Sequence, residues 1–313
     1  MVGTSDWTGI VHGDFSDLNK IRARLQAGAD PLGSLWTYGS ALHEAAKEGS
    51  PELVALLVAH VRDGELDGLN DGRSALWEAV FRDRSEIARV LVEAGADPWL
   101  DMMDGWSPGR LALAGPHLDL FGTPPEGIRL SAGEQAMADA GPQLAEVFSG
   151  IHYDGYSLLC VAGVGLNEAF RRLDGAIQVD APAEPENWED LDLSVVGLTS
   201  VPGGCVITQP WAYAADNDAV AGPVTIGTFG YGMYANPKSG NQGSIWRNGQ
   251  AEAWDLHPGY DPRENSTARE VLASYVCEFS AIAHCMVYAG LSPNTSDCLE
   301  SPQVWVRMPN IEG

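Results

Sequence analysis

The sequence predicts a two-part fold: an N-terminal all-α solenoid of three to four repeats, followed by a C-terminal α+β domain with an antiparallel sheet. Two observations support this division. A pattern of about 34 residues recurs in the first third of the chain, and short apolar runs separated by Gly and Pro replace the helical spacing later on. With 313 residues, 45% of them hydrophobic, the chain can form two domains with sizeable cores.

The repeated pattern is clearest in residues 71–98. There a turn leads into two short helical segments, and the unit ends with the small-residue run Ala94-Gly95-Ala96-Asp97-Pro98. The aligned serines Ser40, Ser74 and Ser107 give a period of 34 and then 33 residues. At least three such units must stack, because no unit buries its apolar side alone.

This period, with a turn, two helices and a small-residue exit, resembles the ankyrin repeat over residues 1–115. Residues 1–35 form an irregular first unit, as expected of a terminal cap. In the ankyrin family, the histidine of the Thr-Pro-Leu-His stretch is structural. Here only His43 matches it, and Trp77 and Arg110 replace it in the next two units.

The turns that begin successive units line up along one edge of such an array, where the family usually binds its partners. The residues predicted to bind a partner there are Trp36, Tyr38, Arg73, Met102, Met103 and Trp106. Exposed aromatic and methionine side chains suit such a patch. The alternative is that they pack on neighbouring turns or on the second domain.

Residues 116–150 are predicted to bridge the two domains and to cap the array. Pro116 to Pro125 interrupts the helical pattern. A helix follows, which Ser131 and Glu134 begin with a capping box and which Gly141-Pro142 interrupts.

Residues 151–313 are predicted to form the α+β domain, with helices on one face of its sheet. The expected elements are strands at 157–162, 193–198, 205–208 and 224–229, a hairpin around Asn248-Gly249, and helices at 168–173 and 268–289. In the hairpin, Trp246 and Trp254 either pack in the core or line a groove.

Three stretches of this domain resemble an uncharacterised domain family of high-GC bacteria, over residues 150–262. They are Cys160–Gly175, the Gly204-Cys-Val-Ile stretch with Trp211, and the hairpin. The resemblance implies a fold class and a boundary but no activity. Fifteen arginines against three lysines are also typical of such genomes.

The chain is strongly acidic, with a formal net charge of −25. Residues 1–150 hold 23 acidic and 11 basic side chains, and residues 151–313 hold 20 and 7. Such a surface repels phosphate backbones, which argues against nucleic-acid binding and favours a basic protein partner. There is no apolar stretch of about 18 residues that would span a membrane. The five cysteines form no Cys-x-x-Cys pair, which indicates buried free thiols in a reducing cytoplasm.

The sequence shows no catalytic constellation, so we predict no catalytic residue, no cofactor and no metal site. Asp216-Asn217-Asp218 is predicted to be a turn rather than a cation site. A deep cleft with polar side chains converging around His152, Asp154 or His257 would indicate a hidden enzyme site.

The favoured hypothesis is therefore a cytoplasmic, non-enzymatic protein that binds another protein through the repeats. One alternative is an acidic immunity protein or inhibitor that occludes a basic toxin or nuclease. The second alternative is an enzyme with a site in the C-terminal domain.

Overall fold

The computed structural model describes residues 7–35, 39–182 and 192–309. The N-terminal region begins with a 3-10 helix and α1. Five helices follow, and they are alternately the first and the second helix of successive repeats. The elements are the 3-10 helix His12–Ser16, α1 (Leu18–Gln26), α2 (Ala41–Glu48), α3 (Pro51–Val58), α4 (Ala75–Phe81), α5 (Ser85–Glu93) and α6 (Pro108–Ala112).

These elements stack in register, which confirms the predicted array. First helices pack on first helices (α2 on α4, α4 on α6), and second helices pack on second helices (α3 on α5). Leu57, Ile87 and Leu91 are buried in the resulting spine. Within residues 113–131, which the structure describes in full, no further helix continues the array.

The three aligned serines begin the first helices. Ser40, Ser74 and Ser107 are the N-caps of α2, α4 and α6, and each side chain accepts a hydrogen bond from the backbone N–H three residues on. Such a cap typically stabilises a helix by about 1 kcal/mol. The repeat period thus marks three helix starts.

The chain divides into two compact units, and the division is not sequential. One unit consists of the repeats up to residue 135 together with residues 263–275, and the other of residues 136–262 and 276–313. The sequence placed residues 263–275 in the C-terminal domain, whereas they lie with the repeats. The boundaries at residues 115 and 150 stay predictions.

Helix α7 (Ala132–Val147) begins as predicted but does not break. The Ser131 N–H donates to Glu134 Oε2 over 2.7 Å, and the Glu134 N–H donates to Ser131 Oγ over 3.2 Å, as in a capping box. The predicted interruption at Gly141-Pro142 is wrong, because buried residues on both sides of the proline, Ala138 and Leu144, keep the helix packed.

The second unit is built on one eight-stranded sheet, which confirms the α+β class. Within the described residues, neighbouring strands of this sheet pair antiparallel, in the order β2-β8-β3-β4-β1-β5-β6-β7. The strands are β1 (Ser157–Ala162), β2 (Ile177–Val179), β3 (Val195–Val201), β4 (Gly204–Gln209), β5 (Phe229–Asn236), β6 (Gly240–Arg247), β7 (Gln250–Leu256) and β8 (Val304–Arg307). Asn248 and Gly249, at φ 50° and 83°, form the predicted positive-φ turn of the hairpin.

Helices cover both faces of this sheet, so the expectation of one covered face is wrong. Leu159 and Val161 of β1 pack with residues of α8 (Leu166–Arg172) and α9 (Asp218–Val224). On the opposite face, Cys160 Sγ lies 3.4 Å from Met286 Sδ of α11 (Ala281–Ala289). The continuous apolar run of β1, buried on both sides, is typical of a doubly covered strand.

Two further elements differ from the sequence prediction. The strand expected at 224–229 is wrong, because α9 extends to Val224 and β5 begins only at Phe229. The single helix expected at 268–289 is two helices, α10 (Ala268–Val276) and α11, because Glu278 and Phe279 adopt positive φ and Ser280 caps a new helix start. The last helix, α12, spans Asp297–Glu300.

A buried carboxylate joins the segment before α9 to the sheet. The Ser244 hydroxyl donates to Asp216 Oδ1, and the Trp246 indole N–H donates to the same oxygen over 3.0 Å. Gly232 of β5 lies directly beneath, where any Cβ would overlap that oxygen. Glycine at this position therefore provides the space that the carboxylate occupies.

Gly232→Ala is expected to destabilise the second unit by about 2 kcal/mol or more, because overpacking displaces Asp216 from both donors. Thermal unfolding followed by circular dichroism measures the change. Gly222→Ala is the matched control, since a Cβ there meets its nearest atom only at 3.6 Å. Equal melting temperatures for the two variants would contradict the packing described.

Candidate functional site

The turns that begin the third and fourth repeats share one geometry. Asp71 and Gly72 have φ of 48° and 74°, and Asp104 and Gly105 have φ of 46° and 78°. An Asp-Gly pair with two positive φ values is the preferred two-residue turn between short extended arms. We call each of these two turns, residues 69–73 and residues 101–106, a finger. The two fingers, together with Phe81 of α4 and Gly115 after α6, form what we call the finger face.

His43 connects one repeat to the next finger. Its Nδ1 lies 2.7 Å from Ser40 Oγ, and its Nε2 lies 2.9 Å from the Arg73 carbonyl oxygen. Burial lowers the pKa of His43 to about 4. The imidazole is therefore neutral at pH 7 and has the structural role that the resemblance implied.

Arg73, one of the predicted partner-binding residues, is buried and anchors its own finger. Its Nε lies 3.2 Å from Glu78 Oε1, and Lys47 lies 3.6 Å from the same carboxylate oxygen. Glu78 is itself buried in α4. Removing one partner of such a network would leave a buried charge uncompensated, so the network ties the finger to α4.

The structure also buries two other predicted partner-binding residues. Met103 is 2% and Trp106 is 0% exposed, so for these two side chains the alternative of packing within the protein is confirmed, and an exposed patch is not. Met102 is partly exposed. Trp36 and Tyr38 lie outside the described residues. Whether any of the six contacts a partner stays a prediction.

Trp106 is buried because residues 263–275 lie on the finger face. The Trp106 indole N–H donates to the Ala268 carbonyl over 2.8 Å, and the Ala268 N–H donates to Asp104 Oδ2 over 2.6 Å. The Arg110 guanidinium lies 4.3 Å from the centre of the Trp106 ring. One finger therefore binds both backbone polar groups of a residue 162 positions away.

Two more residues of the segment, Tyr275 and Glu264, contact the finger face. The rings of Tyr275 and Phe81 are 5.6 Å apart, and the Tyr275 hydroxyl lies so close to Gly115 that a side chain there would overlap it. Glu264 lies beside Gly72, where a Cβ would be 3.4 Å from its Cγ. The finger face thus already has an occupant from its own chain. Only Thr267-x-x-Glu270, a helix-start pattern, could have signalled this occupant in the sequence.

The other candidate groups do not converge. His152 and Asp154 are exposed, and His257 Nδ1 donates to the Asn241 carbonyl over 3.0 Å. In the described residues no hydrogen bond joins any two of these three. The alternative of a catalytic site stays a prediction.

Asp216-Asn217-Asp218 separates into distinct roles. Asp216 ends a short 3-10 helix and Asn217 caps α9, so the predicted turn is instead the start of a helix, and burial raises the pKa of Asp216 to about 7. Trp246 packs in the core, whereas Trp254 is 74% exposed.

In the part of the chain that the structure describes, no three His, Cys, Asp or Glu residues are grouped to hold a metal ion. Its helices include none that is both long and apolar enough to cross a membrane.

His43→Gln is expected to make the free energy of unfolding less sensitive to acid pH. The folded-state pKa of His43, about 4, lies below the ordinary value of 6.5, so the unfolded chain takes up the proton first. The stabilisation is complete above pH 6.5 and is lost as the pH falls towards 4, by up to about 3 kcal/mol. Urea denaturation at pH 4.5 and 7.5 measures the difference between variant and wild type. The exposed His60→Gln is the control, and an unchanged pH slope in His43→Gln would refute this role.

Comparisons with known proteins agree with the stacked helix pairs. The family model described as ankyrin repeats matches residues 17–101 in three copies. The Notch-regulated ankyrin repeat-containing proteins of Homo sapiens and Mus musculus are each 30% identical over 80 residues, which cover 25% of this chain and 70% of each relative. Ankyrin repeats generally bind other proteins. The repeat period, the capped first helices and these matches all indicate the same family. The chain belongs to the ankyrin-repeat family.

Proposed function

We propose that this chain is a non-enzymatic protein-interaction protein that binds another protein through the finger face. The observation that supports the proposal is the repeated Asp-Gly turn, fixed by His43 and by the Arg73–Glu78 ion pair on a stacked helical spine. A face held in this way needs little reorganisation on binding, which favours affinity.

The exposed part of the finger face indicates the chemistry of the partner. Leu69 is 55% exposed, and Asp71 and Asp101 of the same face are exposed as well. Apolar contacts surrounded by carboxylates suit a basic protein with apolar residues at its contact surface. The proposed partner is therefore basic, and the proposed place of action is the cytoplasm.

A second candidate function is inhibition of a basic toxin or nuclease, as by an immunity protein. The net charge of −25, spread over both halves of the chain, favours it. Long-range attraction of this kind increases the association rate and weakens with salt. A partner whose association rate falls steeply between low and high salt would favour the inhibitor over a general interaction protein.

A photoreactive residue at Leu69 or Met102 is expected to crosslink one and the same protein in cells of the source organism, identified by mass spectrometry. The two positions are equivalent in consecutive repeats, 33 residues apart. Leu118 is the matched control, because it is 60% exposed but lies outside the array. Crosslinking to the same protein from Leu118 alone, or equally from all three positions, would contradict binding by the finger face.

A further inference from the structure

We propose that the finger face is a receptor for a short helix, that residues 263–275 are its resident ligand, and that an outside partner binds by displacing them. This inference rests on the proposed function for the location of the site. It adds what occupies the site and which kind of partner fits it, namely a protein that presents a short helix to the finger face.

The fingers recognise the start of a helix through its backbone. Asp104 accepts the Ala268 N–H at the first position of α10, where the positive end of the helix dipole favours a carboxylate. Trp106 donates to the carbonyl of the same residue. Neither contact uses the Ala268 side chain, so any small residue that allows this approach satisfies them.

Side chains on the same segment supply the selectivity. Tyr275 lies seven residues after Ala268, two helical turns on and on the same side of the helix. Its ring contacts Phe81, and its hydroxyl lies over Gly115. The surface therefore fits a helix with a small residue in its first turn and an aromatic residue seven positions later.

The resident segment is a self-contained helix, which allows it to exchange as a unit. Thr267 and Glu270 form its own capping box, with the Thr267 N–H donating to Glu270 Oε2 over 3.0 Å and the Glu270 N–H donating to Thr267 Oγ1 over 3.4 Å. After Val276 the backbone reverses to positive φ at Glu278 and Phe279, so α10 is not continuous with the next helix.

Competition sets the size of the expected effect. A segment of the same chain has an effective concentration on the order of millimolar at its own site. A free peptide of the same sequence then binds with its intrinsic affinity multiplied by the fraction of molecules in which the face is unoccupied. Weakening the resident segment is expected to increase peptide affinity by about tenfold or more.

The first experiment measures binding of a fluorescent peptide of residues 262–276 to the full chain by anisotropy. Tyr275→Ala in the protein is expected to increase peptide affinity by at least about tenfold over wild type, whereas Tyr275→Phe, which keeps the ring, changes it little. A peptide with Tyr275→Ala is expected to bind weakly to every variant. Equal affinity of the normal peptide for wild type and for the Tyr275→Ala protein overturns the proposal.

The second experiment locks the resident segment and does not rely on weakening it. A Cβ at Gly72 would lie 3.7 Å from Glu264 Cβ, within the range of about 3.5–4.5 Å for a disulfide. The double variant Gly72→Cys, Glu264→Cys is expected to lose peptide binding when oxidised and to regain it on reduction, and Glu264→Cys alone is expected to be insensitive. The five native thiols are buried and free, and burial raises their pKa, so they stay inert in the assay. Peptide binding that survives in the oxidised, locked protein overturns the proposal.

These two experiments use no outside partner, so they separate this inference from the proposed function. Redox-sensitive peptide binding without any crosslink at Leu69 and Met102 would leave the exchange standing and refute the partner. A crosslink that persists at full yield in the locked protein would leave partner binding standing and refute displacement.

Discussion

The hydrogen bond between the Trp106 indole and the Ala268 carbonyl explains why residues 263–275 belong to the same compact unit as the repeats. The indole is fully buried, and a buried N–H without an acceptor costs about 1–3 kcal/mol. Residues 113–131 provide no further repeat to cover it. A segment from a distant part of the sequence supplies the acceptor instead, so the repeat unit is completed by residues 263–275 and not by its neighbours in the chain.

The sequence predicts the repeat fold well because its signals are local. A period of 34 and then 33 residues places Ser40, Ser74 and Ser107 at equivalent positions, and all three begin a helix in the structure. Local signals also placed Trp106 at the turn that begins a repeat, and they left open whether its side chain is exposed or packed. The choice between the two was not predictable, because the Trp106 indole contacts residues 263–275, whose position no periodicity in the sequence reports.

The differences in the second unit have a similar cause. The apolar spacing from Val271 to Met286 fits one helix, and only Ser280 hints at a second start. Non-glycine residues such as Glu278 and Phe279 rarely adopt positive φ, so a sequence does not reveal the break. At Pro142 the opposite happens, since packing of Ala138 and Leu144 overrides an ordinarily disruptive residue. Tertiary contacts decide both cases.

The close contact between the Tyr275 hydroxyl and Gly115 has a consequence for engineering a longer array. Solenoids are commonly lengthened by appending consensus units, and here the natural insertion point would follow Ala114. Any side chain replacing Gly115 would overlap the Tyr275 hydroxyl. A version of this protein with additional repeats would therefore lose the contact of Tyr275 with the array, and with it the segment of its own chain that now covers the last repeat.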